Sequence, residues 1–166
     1  MKFILCSGSP VAAMLIVTLA LTLTACGMAA ASVVVNEVEL SPSNEEAPIW
    51  VELYNSGDAA VDVTGWIVTI KDQFWVGKMG LQGTIEPKGL MVAEGQTSWI
   101  KSGNGTVILI DASGNVVDST PLLQDSKAND FSWGRIPDGK DTDTRGDFVY
   151  TMSTKGRPSG GSIKIG

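Results

Sequence analysis

The chain is expected to fold as an all-β sandwich, on three observations. After residue 32, apolar and polar residues alternate with period two, as in Ile49-Trp50-Val51-Glu52-Leu53-Tyr54, the pattern of strands that bury one face. Clusters of Gly, Asn, Asp and Pro cut these runs at the short spacing of antiparallel sheets. No segment after the N-terminal stretch carries a convincing 3.6-residue apolar period, which argues against parallel β/α folds.

Residues 1–26 read as targeting sequence outside the fold. Lys2 is the only charge there, and Val11 to Leu23 is an uninterrupted run of 13 apolar or Thr residues, a suitable hydrophobic core for an export signal. Three readings of its end stand side by side. Leu23-Thr24-Ala25-Cys26-Gly27 is similar to a lipobox, which makes Cys26 a candidate for lipidation and membrane tethering. An ordinary cleavage site in the small-residue stretch 28–32 would release the domain. The uncharged stretch from Val11 to Val35 is also long enough for an uncleaved anchor. Each reading places the domain outside the cytoplasm, extracellular or at the cell surface.

The first strand is expected over Val33 to Leu40, with Val34, Val38 and Leu40 inward, Asn36 inward with a hydrogen-bond partner, and Glu37 and Glu39 outward in solvent. In the next, Ile49, Val51 and Leu53 share a face opposite Trp50, Glu52 and Tyr54. Val61 to Val63 leads through Thr64-Gly65 to Trp66, Val68 and Ile70, a second buried row. Leu81 to Ile85 and Leu90 to Ala93 read as strands around a Pro87-Lys88-Gly89 turn. Thr106 to Asp111 and Asn115 to Ser119 form a hairpin through Gly114. Phe131 to Ile136 and Phe148 to Thr151 complete the set. The sandwich is thus assigned to residues 33–157, and the Gly- and Ser-rich residues 158–166 to a flexible tail.

Both cysteines, Cys6 and Cys26, lie in the targeting segment, so stability must come from a hydrophobic core and not from disulfides. A chain starting at Cys26 has 141 residues, enough for one domain. It carries 18 acidic and 11 basic side chains, a net charge of −7 with no Lys/Arg cluster, which argues against nucleic acid as a partner.

Five ordered blocks then support a family resemblance. Asn36-Glu37-Val38, Trp50 to Asn55, Asp62-Val63-Thr64-Gly65-Trp66, Asp111 to Asp118 and Ser132 to Gly139 resemble the signature blocks of the lamin tail domain, over roughly Val33 to Arg157. The sequence most resembles the small, exported prokaryotic members. The resemblance implies an immunoglobulin-like β-sandwich and a non-catalytic cell-surface module for adhesion or scaffolding, with a surface protein or glycan as partner. No coiled-coil rod or basic patch accompanies it, so filament and chromatin roles are not carried over.

The chain contains no His, which removes Ser-His pairs, His-ligated zinc and His proton relays. Glu37, Glu39 and Glu52 could in principle form an acid/base pair, but strand alternation explains them as solvated faces. No catalytic, cofactor-binding or metal-binding residue is therefore assigned, and no cofactor is required. Calcium is the one ion considered. Asp138, Asp141, Asp143 and Asp147 crowd a single loop, as a hard cation would need, but Lys140 and Arg145 sit among them. A calcium- or carbohydrate-binding accessory module of a secreted enzyme system is accordingly the alternative function. Arg145-Gly146-Asp147 spells an integrin-binding tripeptide and is given no weight. Asn104-Gly105-Thr106 makes Asn104 a glycosylation candidate in a loop before a strand. Trp50, Trp66 and Trp133 are expected in or near the core. Trp75 and Trp99, in less regular stretches, are either core or a partner-binding aromatic surface.

Overall fold

The computed structural model describes residues 33–160, and the period-two runs within them form strands. In chain order these are β1 (Val33–Glu39), β2 (Trp50–Asn55), β3 (Val61–Asp62), β4 (Ile67–Lys71), β5 (Val76–Gly80), β6 (Thr84–Ile85), β7 (Leu90–Glu94), β8 (Asn104–Ile110), β9 (Val116–Ser119), β10 (Leu123–Gln124), β11 (Phe131–Arg135) and β12 (Phe148–Met152). No α-helix occurs among the described residues, whose one helical turn is the 3-10 segment Arg145–Asp147.

The strands build two facing sheets of an immunoglobulin-like sandwich. One runs β12-β11-β1-β2-β7; the other runs β10-β8-β4-β5, with β9 also on β8, and β3-β6 is a small side ribbon. The pairing within the sheets is antiparallel. Val35, Val38, Val51 and Leu53 of the first sheet pack on Val68, Ile70, Val107 and Leu109 of the second, all fully buried. Each such side chain contributes roughly 1.5–3 kcal/mol on leaving water. The β8–β9 hairpin forms where the sequence predicts it. Gly114 takes a φ of 89° at the turn, and the Asp111 carboxylate accepts the N–H groups of Ser113 and Asn115 at 2.8 Å each.

Three expectations are corrected. The register of β1 shifts between Val35 and Glu37, a β-bulge at Asn36 that changes which residues face the core. Val33 and Val35 point inward before it and Val38 and Leu40 after it, while Val34 lies outside the core cluster. Glu37, Glu39 and Glu52 do lie on the face away from the core, but they are buried, at 1 %, 3 % and 0 % exposure, and not solvated. Glu37 and Glu52 are covered by the segment after β12, while Glu39 lies against Ser41 and Asp125. The Thr154 N–H and hydroxyl donate to Glu37 at 2.8 and 2.6 Å, the Gly156 N–H to Glu52 at 2.7 Å, and the Ser159 hydroxyl to the Arg135 carbonyl at 2.8 Å. Of the residues assigned to the tail, Ser159 is buried in this packing, and 161–166 lie outside the described residues. The middle of the chain differs too: Val76–Gly80 is a strand, and the run expected from Leu81 to Ile85 keeps only Thr84–Ile85.

Candidate functional site

Sheet order sets β7 and β5 at the same side of the sandwich, each at the edge of its own sheet. In an antiparallel pair alternate residues bond the neighbour, and the others turn their N–H and C=O away. Gly95 N–H bonds the Ile49 carbonyl and Asn55 N–H bonds the Gly89 carbonyl. The same register pairs Val51 with Ala93 and Leu53 with Met91. The main chain of Leu90, Val92 and Glu94 therefore points away from β2 along the open edge. By the same alternation, with Leu81 N–H on the Trp66 carbonyl, Val76, Lys78 and Gly80 do so on β5.

Between the two edges runs a groove of about 480 Å3, lined by Met79 and Leu81 from one sheet, Met91 and Ala93 from the other, and Trp99. Two glycines shape it. A Cβ on Gly77 would lie 2.5 Å from the rings of both Trp75 and Trp99, and one on Gly95 would lie 2.6 Å from Trp99. The Trp99 ring thus rests on both edges and closes one end of the groove, tilted against Trp75 at 5.5 Å between centroids. Both tryptophans are half-buried and pack against the core, leaving part of each ring exposed. Methionines give such a wall an adaptable shape. Gly77→Ala is expected to push Trp99 out of place, with a loss of about 1–3 kcal/mol by overpacking and a red-shifted tryptophan emission as its check.

The outer face of the first sheet carries a chain of buried polar groups. Asn36, placed by the bulge, donates to Glu52 at 3.1 Å and to Asp138 at 2.8 Å and accepts the Gly139 N–H at 3.0 Å. Glu37 accepts the Ser132 hydroxyl as well as Thr154. Burial pushes the Glu52 carboxyl up to about 7, against the hydrogen bonds from Asn36 and Gly156. It pushes Glu39 up to about 8, with the Asp125 carboxylate beside it adding to the effect. Asp125 in turn accepts the Tyr150 hydroxyl at 2.7 Å, and burial together with this carboxylate raises the phenol to about 12.

A second cluster surrounds Arg135, which is 1 % exposed. Its guanidinium meets Asp141 at 2.9 Å, Asp118 at 3.2 Å and Asp147 at 3.4 Å, and stacks over Phe148 at 4.6 Å. Two of the four carboxylates considered for calcium are therefore engaged by an arginine. Asp138 is turned to Asn36 and Ser159, and Asp143 stands exposed at a φ of 55°. No group of three or more His, Cys, Asp or Glu side chains among the described residues could hold a metal ion. In the Arg145-Gly146-Asp147 tripeptide, Asp147 is buried and Arg145 lies over the Trp133 ring at 5.1 Å, so the tripeptide braces the fold. Asn104 opens β8 instead of sitting in the loop before it. Cys26 lies outside the described residues. Sequence reading missed the groove; its trace in the chain is that Gly77 and Gly95 each lie close to a tryptophan, Trp75 and Trp99.

No curated protein matches the chain. A family model for the lamin tail domain matches residues 27–122, more than half of the chain. The match stops short of the Ser132-to-Gly139 block, although β11, which that block supplies, pairs directly with β1. The family consists of immunoglobulin-like binding modules that are generally non-catalytic. On the match and the sandwich together, the chain belongs to the lamin tail domain family.

Proposed function

We propose that this domain is a non-catalytic, exported module of the cell surface that binds an extended segment of another surface protein in the groove between β5 and β7. The groove carries the reading. Two open sheet edges flank an apolar floor, so a bound strand would satisfy outward main-chain groups on one edge and drop alternate side chains between Met79, Met91 and Trp99. Export is supported by the apolar run from Val11 to Leu23, and tethering by the lipobox-like Cys26. Absence of His from the whole chain fits a binding role.

Selection from a library of displayed, unstructured peptides tests the groove. The parent is expected to enrich sequences with apolar residues at alternate positions. Val92→Pro removes one outward N–H while leaving the β2 ladder its donors, and it should weaken the enriched peptides at least tenfold with little change in melting temperature. Equal binding by the parent, by Val92→Pro and by Lys78→Pro, which removes an outward N–H of β5, would remove the groove from consideration.

A further inference from the structure

The geometry points to Asn104 as the attachment site of an N-linked glycan whose first sugar packs against Phe74. Asn104 and Phe74 line a cleft of about 220 Å3 together with Leu122 and Gln124, the last of which pairs with Asn104 across β8 and β10. Phe74 is 85 % exposed and Leu122 52 % exposed, large apolar surfaces that the described residues leave uncovered. A hexosamine joined to Asn104 would bring the C–H bonds of its apolar face against the phenyl ring, whose face carries partial negative charge.

The cleft is held in shape before any sugar arrives. Asp72 accepts the N–H groups of Phe74 and Trp75 at 2.5 and 2.8 Å, which fixes the turn that presents Phe74. Desolvation is the largest single influence on Asp72 and pushes it up, but the hydrogen bonds from Ser102, Phe74 and Trp75 together outweigh it and hold the carboxyl below its ordinary range, with Ser102 tying it to the Asn104 strand. The Asn104 side-chain amide donates to the Ser102 carbonyl at 3.2 Å. Gly105, next to Asn104, faces inward onto Ile70 and Leu40, so Asn104 itself faces out. Leu40 follows β1, which places the cleft at the end of the sandwich away from Val33, where the N-terminal segment joins. A tethered domain would leave this end accessible.

The chemistry requires a lipid-diphosphate-linked oligosaccharide and a membrane oligosaccharyltransferase. The Asn104 amide nitrogen attacks C1 of the first sugar. The N–C1 bond forms, the C1–O bond to the diphosphate breaks, the lipid diphosphate leaves with the electron pair, and the amide loses one proton. The nitrogen keeps its other N–H, enough to retain the bond to Ser102. Thr106 supplies the hydroxyl residue of the acceptor sequence.

This inference rests on export, so the experiment separates the two. The chain from residue 27 is secreted behind a host signal from a glycosylating yeast, and the same chain is made in a non-glycosylating bacterium. A parallel arm with native residues 1–26 reads export alone. Mass spectrometry is expected to find hexosamine on Asn104, lost in Asn104→Gln. The glycosylated protein should melt about 2–4 °C above the bare one, and Phe74→Ala or Asp72→Ala should abolish that increment. Both side chains lie in an exposed turn, and the melting of each bare variant reports its folding. Folded, secreted protein without sugar on Asn104 would overturn the inference, as would an increment unchanged by Phe74→Ala.

Discussion

Lowering the pH from 8 to 5 is expected to raise the melting temperature of this protein, the reverse of what a domain held together by carboxylate ion pairs would show. The sign follows from burial. Glu39 and Glu52 have ordinary values near 4.5 when unfolded and about 8 and 7 in the fold, in both cases chiefly through burial. Between pH 4.5 and 8 the folded state therefore holds protons that the unfolded state has released, and stability falls as pH rises. The contribution is complete below about pH 4.5 and gone above about 8. A shift of this size corresponds to roughly 3–5 kcal/mol for one group, and the two acids share Glu37 as a neighbour, so their effects do not add simply. A gain of about 3 kcal/mol, near 10 °C, is expected.

A side-chain replacement isolates the cause. One Glu39 oxygen accepts the Ser41 N–H at 2.9 Å, and Asp125 lies beside the carboxyl, its Oδ2 buried and without a hydrogen-bond partner among the described residues. A proton on Glu39 would give that oxygen a donor. Glu39→Gln supplies an N–H there permanently while keeping an acceptor for Ser41. It should raise stability at pH 8 and flatten the pH slope, read as urea midpoints from pH 5 to 8. Glu52→Gln should not, since both Glu52 oxygens accept N–H groups, from Asn36 and Gly156, and an amide would set donor against donor. An unchanged slope in Glu39→Gln would refute the shared proton.

The same carboxylates show what was legible in the sequence. Alternation places Glu37, Glu39 and Glu52 on the face away from the core, and the structure keeps them there. Local pattern gives the face of a strand but not what lies over it. The cover of Glu37 and Glu52 comes from Thr154 and Gly156, about a hundred residues later, and nothing local to either strand announces it. The bulge at Asn36 is invisible for a related reason, because it is set by the Glu52, Asp138 and Gly139 partners that only tertiary structure supplies. The groove depends on which strands become edges, a property of sheet order and not of any single strand. The hairpin at Gly114 and the inward rows of β2 and β4 were readable because each is decided by neighbours in sequence.

Replacing Arg135 by Met is expected to cost about 3–5 kcal/mol, the penalty for leaving buried carboxylates without their counter-ion. Asp118 and Asp147 are both almost inaccessible. Burial already raises Asp118 despite the arginine, while desolvation of Asp147 is outweighed by the Thr142 and Thr144 hydrogen bonds and by Arg135. The guanidinium also donates to the carbonyls of Val35 at 2.8 Å and Lys140 at 2.6 Å. A lysine cannot reproduce that fork, so Arg135→Lys should recover little. The location explains why the effect should be large. Asp118 belongs to β9 of the second sheet, yet it accepts the Val35 N–H of β1 at 2.7 Å and pairs with Arg135 of β11, so the cluster stitches the two sheets together on the side opposite the groove. That closed side lets the β5–β7 side remain open without the sandwich coming apart. Arg135→Met paired with Asp118→Asn should regain part of the loss, because the amide removes one stranded charge and keeps an acceptor for Val35. Thermal and urea unfolding of the four proteins decides it, and a loss below 1 kcal/mol in Arg135→Met would mean that the sheets are held by the apolar core alone.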